Sequence, residues 1–101
     1  MLIFNTTYLV DSQKILLWMD WIKNIHIPFM LKSGKFSSAQ IAKVLYSDNA
    51  NGESFSVQFK VEDMNTLGVW NELYAEQFQN EIKEHFGTDV LTFSTVLEIV
   101  E

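Results

Sequence analysis

The groups in this chain with chemistry to offer are two histidines, three tryptophans and a scatter of small hydroxyl and amide side chains. His26 is the leading one for proton transfer. It falls one helical turn beyond Ile22 and just before Pro28, on the side of its helix that carries Ile15, Trp18, Met19, Ile22 and Ile25. An imidazole there could enter a cavity as acid, base or ligand, because it changes charge near neutral pH. The competing role is a cap on the last carbonyls of a helix ending at Pro28. His85, in the last turn of the second helix, reads as a helix-end cation.

Other chemistry is thinly supported. With no cysteine, the chain excludes disulfides, thiolate zinc sites, iron–sulfur clusters and cysteine nucleophiles together. Neither histidine has the i, i+3 or i, i+4 partner of a helical metal pair, and Asp48-Asn49-Ala50-Asn51-Gly52-Glu53 is too short for a calcium loop. There is no glycine-rich phosphate loop and no nucleophile elbow. No metal and no cofactor are expected. Thirteen acids against seven basic residues, all Lys, give a net charge of -6. Without Arg the chain lacks the side chain best suited to phosphate or guanine, so nucleic acid is an unpromising partner. The lysines are dispersed, no apolar run approaches a membrane span, and the first residues carry no basic leader, so a cytoplasmic protein is expected.

The elements that must position these groups read in a simple order within 101 residues, enough for one domain, 1–101. Leu2 to Val10 is a strand stopped by Asp11, a helix cap. Ser12 to about His26 is a helix, broken near Pro28 and turned back at Gly34. Phe36–Ser47 and Ser54–Val61 form a hairpin about the Asn51-Gly52 turn. Asp63 caps a second helix that runs to Phe86 and stops at Gly87, and Asp89–Val100 is the last strand. The order β-α-β-β-α-β predicts an α+β, ferredoxin-like split βαβ: a four-stranded antiparallel sheet with two helices on one face.

The other face of that sheet is the expected site. In the third strand Phe55, Val57, Phe59 and Val61 alternate with Ser54, Ser56, Gln58 and Lys60, so the aromatic side meets the helices. Asn5 and Thr7 on the first strand, with Thr92 and Ser94 on the last, flanked by Val90 and Val96, are then expected beside Ser56 and Gln58 on the open face. A face in bulk water usually carries more Lys and Glu. This one is therefore expected to be covered by the same face of a second chain, giving a dimeric α+β barrel around a polar cavity. An open, wetted sheet in a monomer is the alternative. In the second helix, Leu67, Asn71, Tyr74, Ala75, Phe78, Ile82 and His85 form a core stripe that includes Asn71, tied to a backbone group or facing a polar cavity. Trp21, Trp70, Leu17, Val69 and Leu73 fall on the outer side.

Several motifs in order carry a family resemblance. They are Ile3-Phe4-Asn5 with Thr7, then Trp18-Met19-Asp20-Trp21 followed by His26-Ile27-Pro28 and Leu31. After these come Gly34-Lys35-Phe36, Phe55-Ser56-Val57-Gln58-Phe59 and Phe93-Ser94-Thr95-Val96-Leu97-Glu98. Together they resemble the short bacterial proteins of domain of unknown function family 4286 over nearly the whole chain. The resemblance implies a ferredoxin-like fold of the dimeric α+β barrel kind and no assigned activity. It departs at Ser94, where Arg is expected within Phe-Arg-Thr, so an anionic ligand is not carried over.

Two functions follow as expectations. One is a homodimeric binding or regulatory module holding a small molecule, with Asn5, Thr7, Ser56, Gln58, Ser94 and Trp18 as pocket candidates. The other is an enzyme resembling cofactor-independent monooxygenases, isomerases or haem-degrading proteins of the barrel class, with His26 moving the proton.

Overall fold

The computed structural model describes residues 1–45 and 51–101. Strand β1 (Leu2–Asp11) leads through a short 3-10 turn into α1 (Ile15–Trp21), a π turn over Ile22–His26 and α2 (Ile27–Lys32). Strands β2 (Phe36–Lys43) and β3 (Gly52–Val61) follow. Then come α3 (Met64–Trp70), a second π turn over Asn71–Ala75, α4 (Glu76–Phe86) and β4 (Val90–Glu98). The four strands are ordered β2-β3-β1-β4 and every neighbour is antiparallel, which is the ferredoxin-like arrangement. Strand β2 ends at Lys43, short of the expected Ser47; residues 46–50, including the Asp48–Ala50 part of the turn, lie outside the described residues.

Local chemistry sets the boundaries. The Asp11 carboxylate accepts from the Gln13 backbone N–H at 2.9 Å, and that of Asp63 from Thr66 at 2.8 Å, so each closes a strand and opens a helical segment. Gly87 ends α4 with φ 58°, a conformation that favours glycine, and its N–H returns to the Lys83 carbonyl.

The first helix does not break at Pro28. It continues to Lys32 because the π turn precedes the proline: the Ile27 N–H reaches back five residues to the Ile22 carbonyl. That wider turn makes room for a ring that would otherwise meet the carbonyl four residues earlier, and Pro28 then opens the next α segment, where its missing N–H matters least.

The same turn corrects the helix phase. Trp18, Ile22, His26 and Met30 are all buried, a repeat of four. A uniform α-helix would drift about 40° per step of four, and the wider turn cancels part of that drift. Ile25, expected in the core stripe, is consequently exposed. In the second helix the π turn brings Trp70 and Phe78 onto one face as parallel rings 6.1 Å apart, although eight residues at α spacing would set them about 80° out of line. Trp21 and Trp70, expected outside, are core residues. Asn71 and His85, expected inside, are exposed. The core is the layer between the sheet and the helices, with Tyr8, Val10, Phe55, Val57, Phe59 and Val61 projecting from the central strands.

Candidate functional site

The register of β4 decides which residues share a face. Thr6 pairs with Ser94 and Asn5 with Thr95. Thr6 is buried toward the helices, and its hydroxyl meets that of Ser94 at 2.9 Å. Ser94 and Thr92 therefore belong to the helix side, a correction to the expected open-face placement. The alternation of β4 was legible, but its phase was not: Leu91, Phe93 and Leu97 lie on the open face and are exposed, Leu91 and Phe93 to 56% each.

Trp18 is likewise corrected. It is fully buried, with Tyr8 and Phe55 rings 5.1 and 4.9 Å away, and is a core residue rather than a pocket wall.

The remaining open-face candidates do come together. Gln58 donates to the Ser56 hydroxyl at 3.3 Å, Ser56 donates to the Asn5 amide oxygen, and the Asn5 amide donates to Thr95 at 3.3 Å and Thr7 at 3.5 Å. These side chains satisfy one another across β3, β1 and β4. They form a self-paired polar strip bordered by Leu91, Phe93 and Leu97, which suits contact with another surface.

A cavity of about 250 Å³ lies on the opposite side, between the sheet and the helices. Phe4, Thr6 and Tyr8 of β1 and Ser94 of β4 form its floor, and Trp70, Phe78, Gln79 and Ile82 its roof. His26 and the pair Asn71 and Ala75 come from the two π turns, which are features found often at functional sites. Asn71, exposed rather than buried in a core stripe, sits at the rim of this cavity. None of the lining residues is Asp, Glu, Lys or Arg.

His26 is only 5% exposed. Its ring lies parallel to Trp21 at 4.9 Å and meets Phe78 edge-on at 4.6 Å and Phe59 at 5.9 Å. Burial pushes its pKa down to about 4, so it is neutral at pH 7 and a weak proton acceptor. Because the helix continues past it, it caps nothing. Its Nδ1 is enclosed without a hydrogen-bond partner, as is Nε1 of Trp70. Burial also holds the Tyr8 phenol well above its ordinary range, so this hydroxyl keeps its proton. Among the described residues no group of three His, Asp or Glu could hold a metal ion.

The family is settled by a match over residues 1–100. The chain belongs to the family Domain of unknown function (DUF4286). No curated protein matches this DUF4286 chain. Solved structures share its fold at low identity. An ethyl tert-butyl ether d (ethd) family protein from Bacillus halodurans aligns with TM-score 0.68 at 11% identity, over 99% of this chain and 100% of its own. A candidate antibiotic biosynthesis monooxygenase from Deinococcus radiodurans aligns with TM-score 0.70 at 13% identity, over 100% of this chain and 94% of its own. A dimeric ferredoxin-like protein from an uncultured marine organism gives 0.65 at 13%, over 100% and 96%. At such identities the likeness establishes the fold of the DUF4286 chain and nothing about its chemistry.

Trp70, Tyr8, Thr6, Phe78 and Gln79 are cavity residues that sequence reasoning missed. The periodicity of a constant turn pointed away from them, since it set Trp70 on the outer side and Phe78 in the core stripe.

Proposed function

We propose that this DUF4286 protein is a homodimeric small-molecule-binding module whose ligand occupies the cavity between sheet and helices. The observation that carries this reading is a cavity of about 250 Å³ whose lining holds no Asp, Glu, Lys or Arg, bordered by His26 and by the apolar surfaces of Phe4, Trp70, Phe78 and Ile82. An uncharged, largely apolar concavity with few polar groups is the ordinary form of a small-molecule site. Dimerisation is supported by the apolar Leu91, Phe93 and Leu97 exposed beside a self-paired polar strip, and by the dimeric description of one fold neighbour. A cytoplasmic location and the absence of a nucleic-acid partner belong to the same reading, the latter resting on the net charge of -6.

The enzyme alternative has His26 moving a proton within the same cavity. Its depressed pKa argues for the binding role first, because a base with pKa about 4 has little affinity for a proton at pH 7. Native mass spectrometry of protein purified from its own cells tests the proposal. The expected species is twice the 11.7 kDa chain plus a retained small mass, lost in an Ala75→Leu variant that fills the cavity. A lone chain without extra mass, or retention unchanged by the filling, overturns it.

A further inference from the structure

We propose that His26 is a fixed hydrogen-bond donor to the cavity, through its Nε2–H, and that the site selects an uncharged ring compound by one acceptor oxygen such as a ketone or quinone carbonyl. This rests on the binding role proposed for the cavity and names the class of ligand it would take.

The inference begins with the tautomer. A neutral imidazole carries one proton, on Nδ1 or on Nε2. Nδ1 of His26 is enclosed and has no partner. Placing the proton there would bury an N–H with no acceptor, which native structures avoid more strictly than an unused lone pair. The proton therefore belongs on Nε2, which is not among the enclosed, unpartnered atoms, in a residue that borders the cavity. The aromatic packing holds the ring in place: Trp21 covers one face, and Phe78 and Phe59 meet it edge-on. With rotation so restricted, the donor direction is fixed before a ligand arrives.

The remaining walls define the rest of the ligand. Phe4, Trp70, Phe78 and Ile82 supply flat or apolar surface, while the hydrogen-bonding groups of Asn71, Gln79 and Ser94 belong to residues exposed at the rim. An engineered cavity of about 150 Å³ holds benzene, so the 250 Å³ here suits one or two fused rings. An anion or cation would enter without a countercharge, because the lining carries none, and desolvation then opposes binding.

Three probes of similar size separate the possibilities: 1-tetralone, naphthalene and 1-naphthoate, each titrated by the fluorescence of Trp70 and neighbouring indoles in wild type and in His26→Leu. In wild type, 1-naphthoate is expected to bind at least about tenfold more weakly than 1-tetralone. In His26→Leu, the preference for 1-tetralone over naphthalene is expected to fall about fivefold, the worth of one hydrogen bond, while naphthalene binding persists. Long-range 1H–15N spectra of the wild-type imidazoles provide a test that needs no variant, with a protonated Nε2 expected for His26 at pH 7. A protonated Nδ1, an unchanged preference in His26→Leu, or equal binding of the carboxylate overturns donor selection and leaves the cavity's binding role standing. Failure of all three probes to enter overturns both.

Discussion

The imidazole of His26 lies flat against the indole of Trp21, with ring centroids 4.9 Å apart and planes 15° from parallel. Two opposing effects act on this pair. A protonated imidazole over an indole gains a cation–π attraction of roughly 0.5–2 kcal/mol, whereas burial penalises the charge. Burial among these rings lowers the pKa to about 4, on the side of the neutral imidazole. The stack is thus a packing contact of a neutral ring: Trp21 backs His26, which borders the inner cavity, and itself lines an outer groove with Leu17 and Phe86.

Acid sensitivity follows with a definite sign. The unfolded chain binds a proton at His26 below about pH 6.5, while the folded chain refuses it until about pH 4. This group's share of stability is therefore fully present above pH 6.5 and is lost as pH falls toward 4, by on the order of 3 kcal/mol. Urea unfolding of wild type and His26→Phe between pH 4 and 7 checks this. The variant is expected to show a flatter profile, and an equal slope in both would refute the assignment.

The exposed apolar edge of the open face should govern association. Phe93→Asp places a charge among Leu91, Leu97 and the polar strip, and is expected to convert a dimer to a monomer while leaving the fold intact. Sedimentation velocity, with far-ultraviolet circular dichroism as the fold control, reads the outcome. Dimerisation of the Phe93→Asp variant with wild-type affinity would send the interface elsewhere.

Two glycines should respond in opposite directions. A Cβ on Gly52 would sit 2.0 Å from the Val10 carbonyl oxygen, a backbone atom that cannot swing aside. Gly52→Ala is therefore expected to destabilise the β1–β3 pairing by about 2 kcal/mol or more. Gly68 lies in α3, exposed, with nothing within 4 Å of a new Cβ. Gly68→Ala should stabilise by about 0.5–1 kcal/mol, through helix propensity and a less mobile unfolded chain. Chemical denaturation of both variants decides, and the same sign for the two would contradict the geometry.

Asp63 caps α3, and its hydrogen bonds to the Thr66 backbone and side chain lower its pKa. A depressed carboxylate contributes stability above its unfolded pKa of 3.8 that is lost as pH falls through the folded value. Asp63→Ala should lower the melting temperature at pH 7 and have little effect near pH 2, where the wild-type carboxyl is itself protonated. Scanning calorimetry at the two pH values distinguishes this from a loss that is independent of pH.

Element order was legible in this chain because each boundary has its own local chemistry: Asp11 and Asp63 as caps, Gly87 as a stop, and the alternation of Phe55 to Val61 as a strand with an inner face. These are interactions within a few residues, so the sequence alone determined them. The burial of His26 and the grouping of Asn5, Thr7, Ser56 and Gln58 followed from the same periodicities. Tertiary structure alone decided the phase of β4, the fates of Trp21 and Trp70, and the cavity itself. A strand's alternation has two phases, and only pairing with β1 chose between them. A helix's stripe assumes a constant turn, and only packing against the sheet made a widened turn at Ile22–His26 and Asn71–Ala75 the better solution.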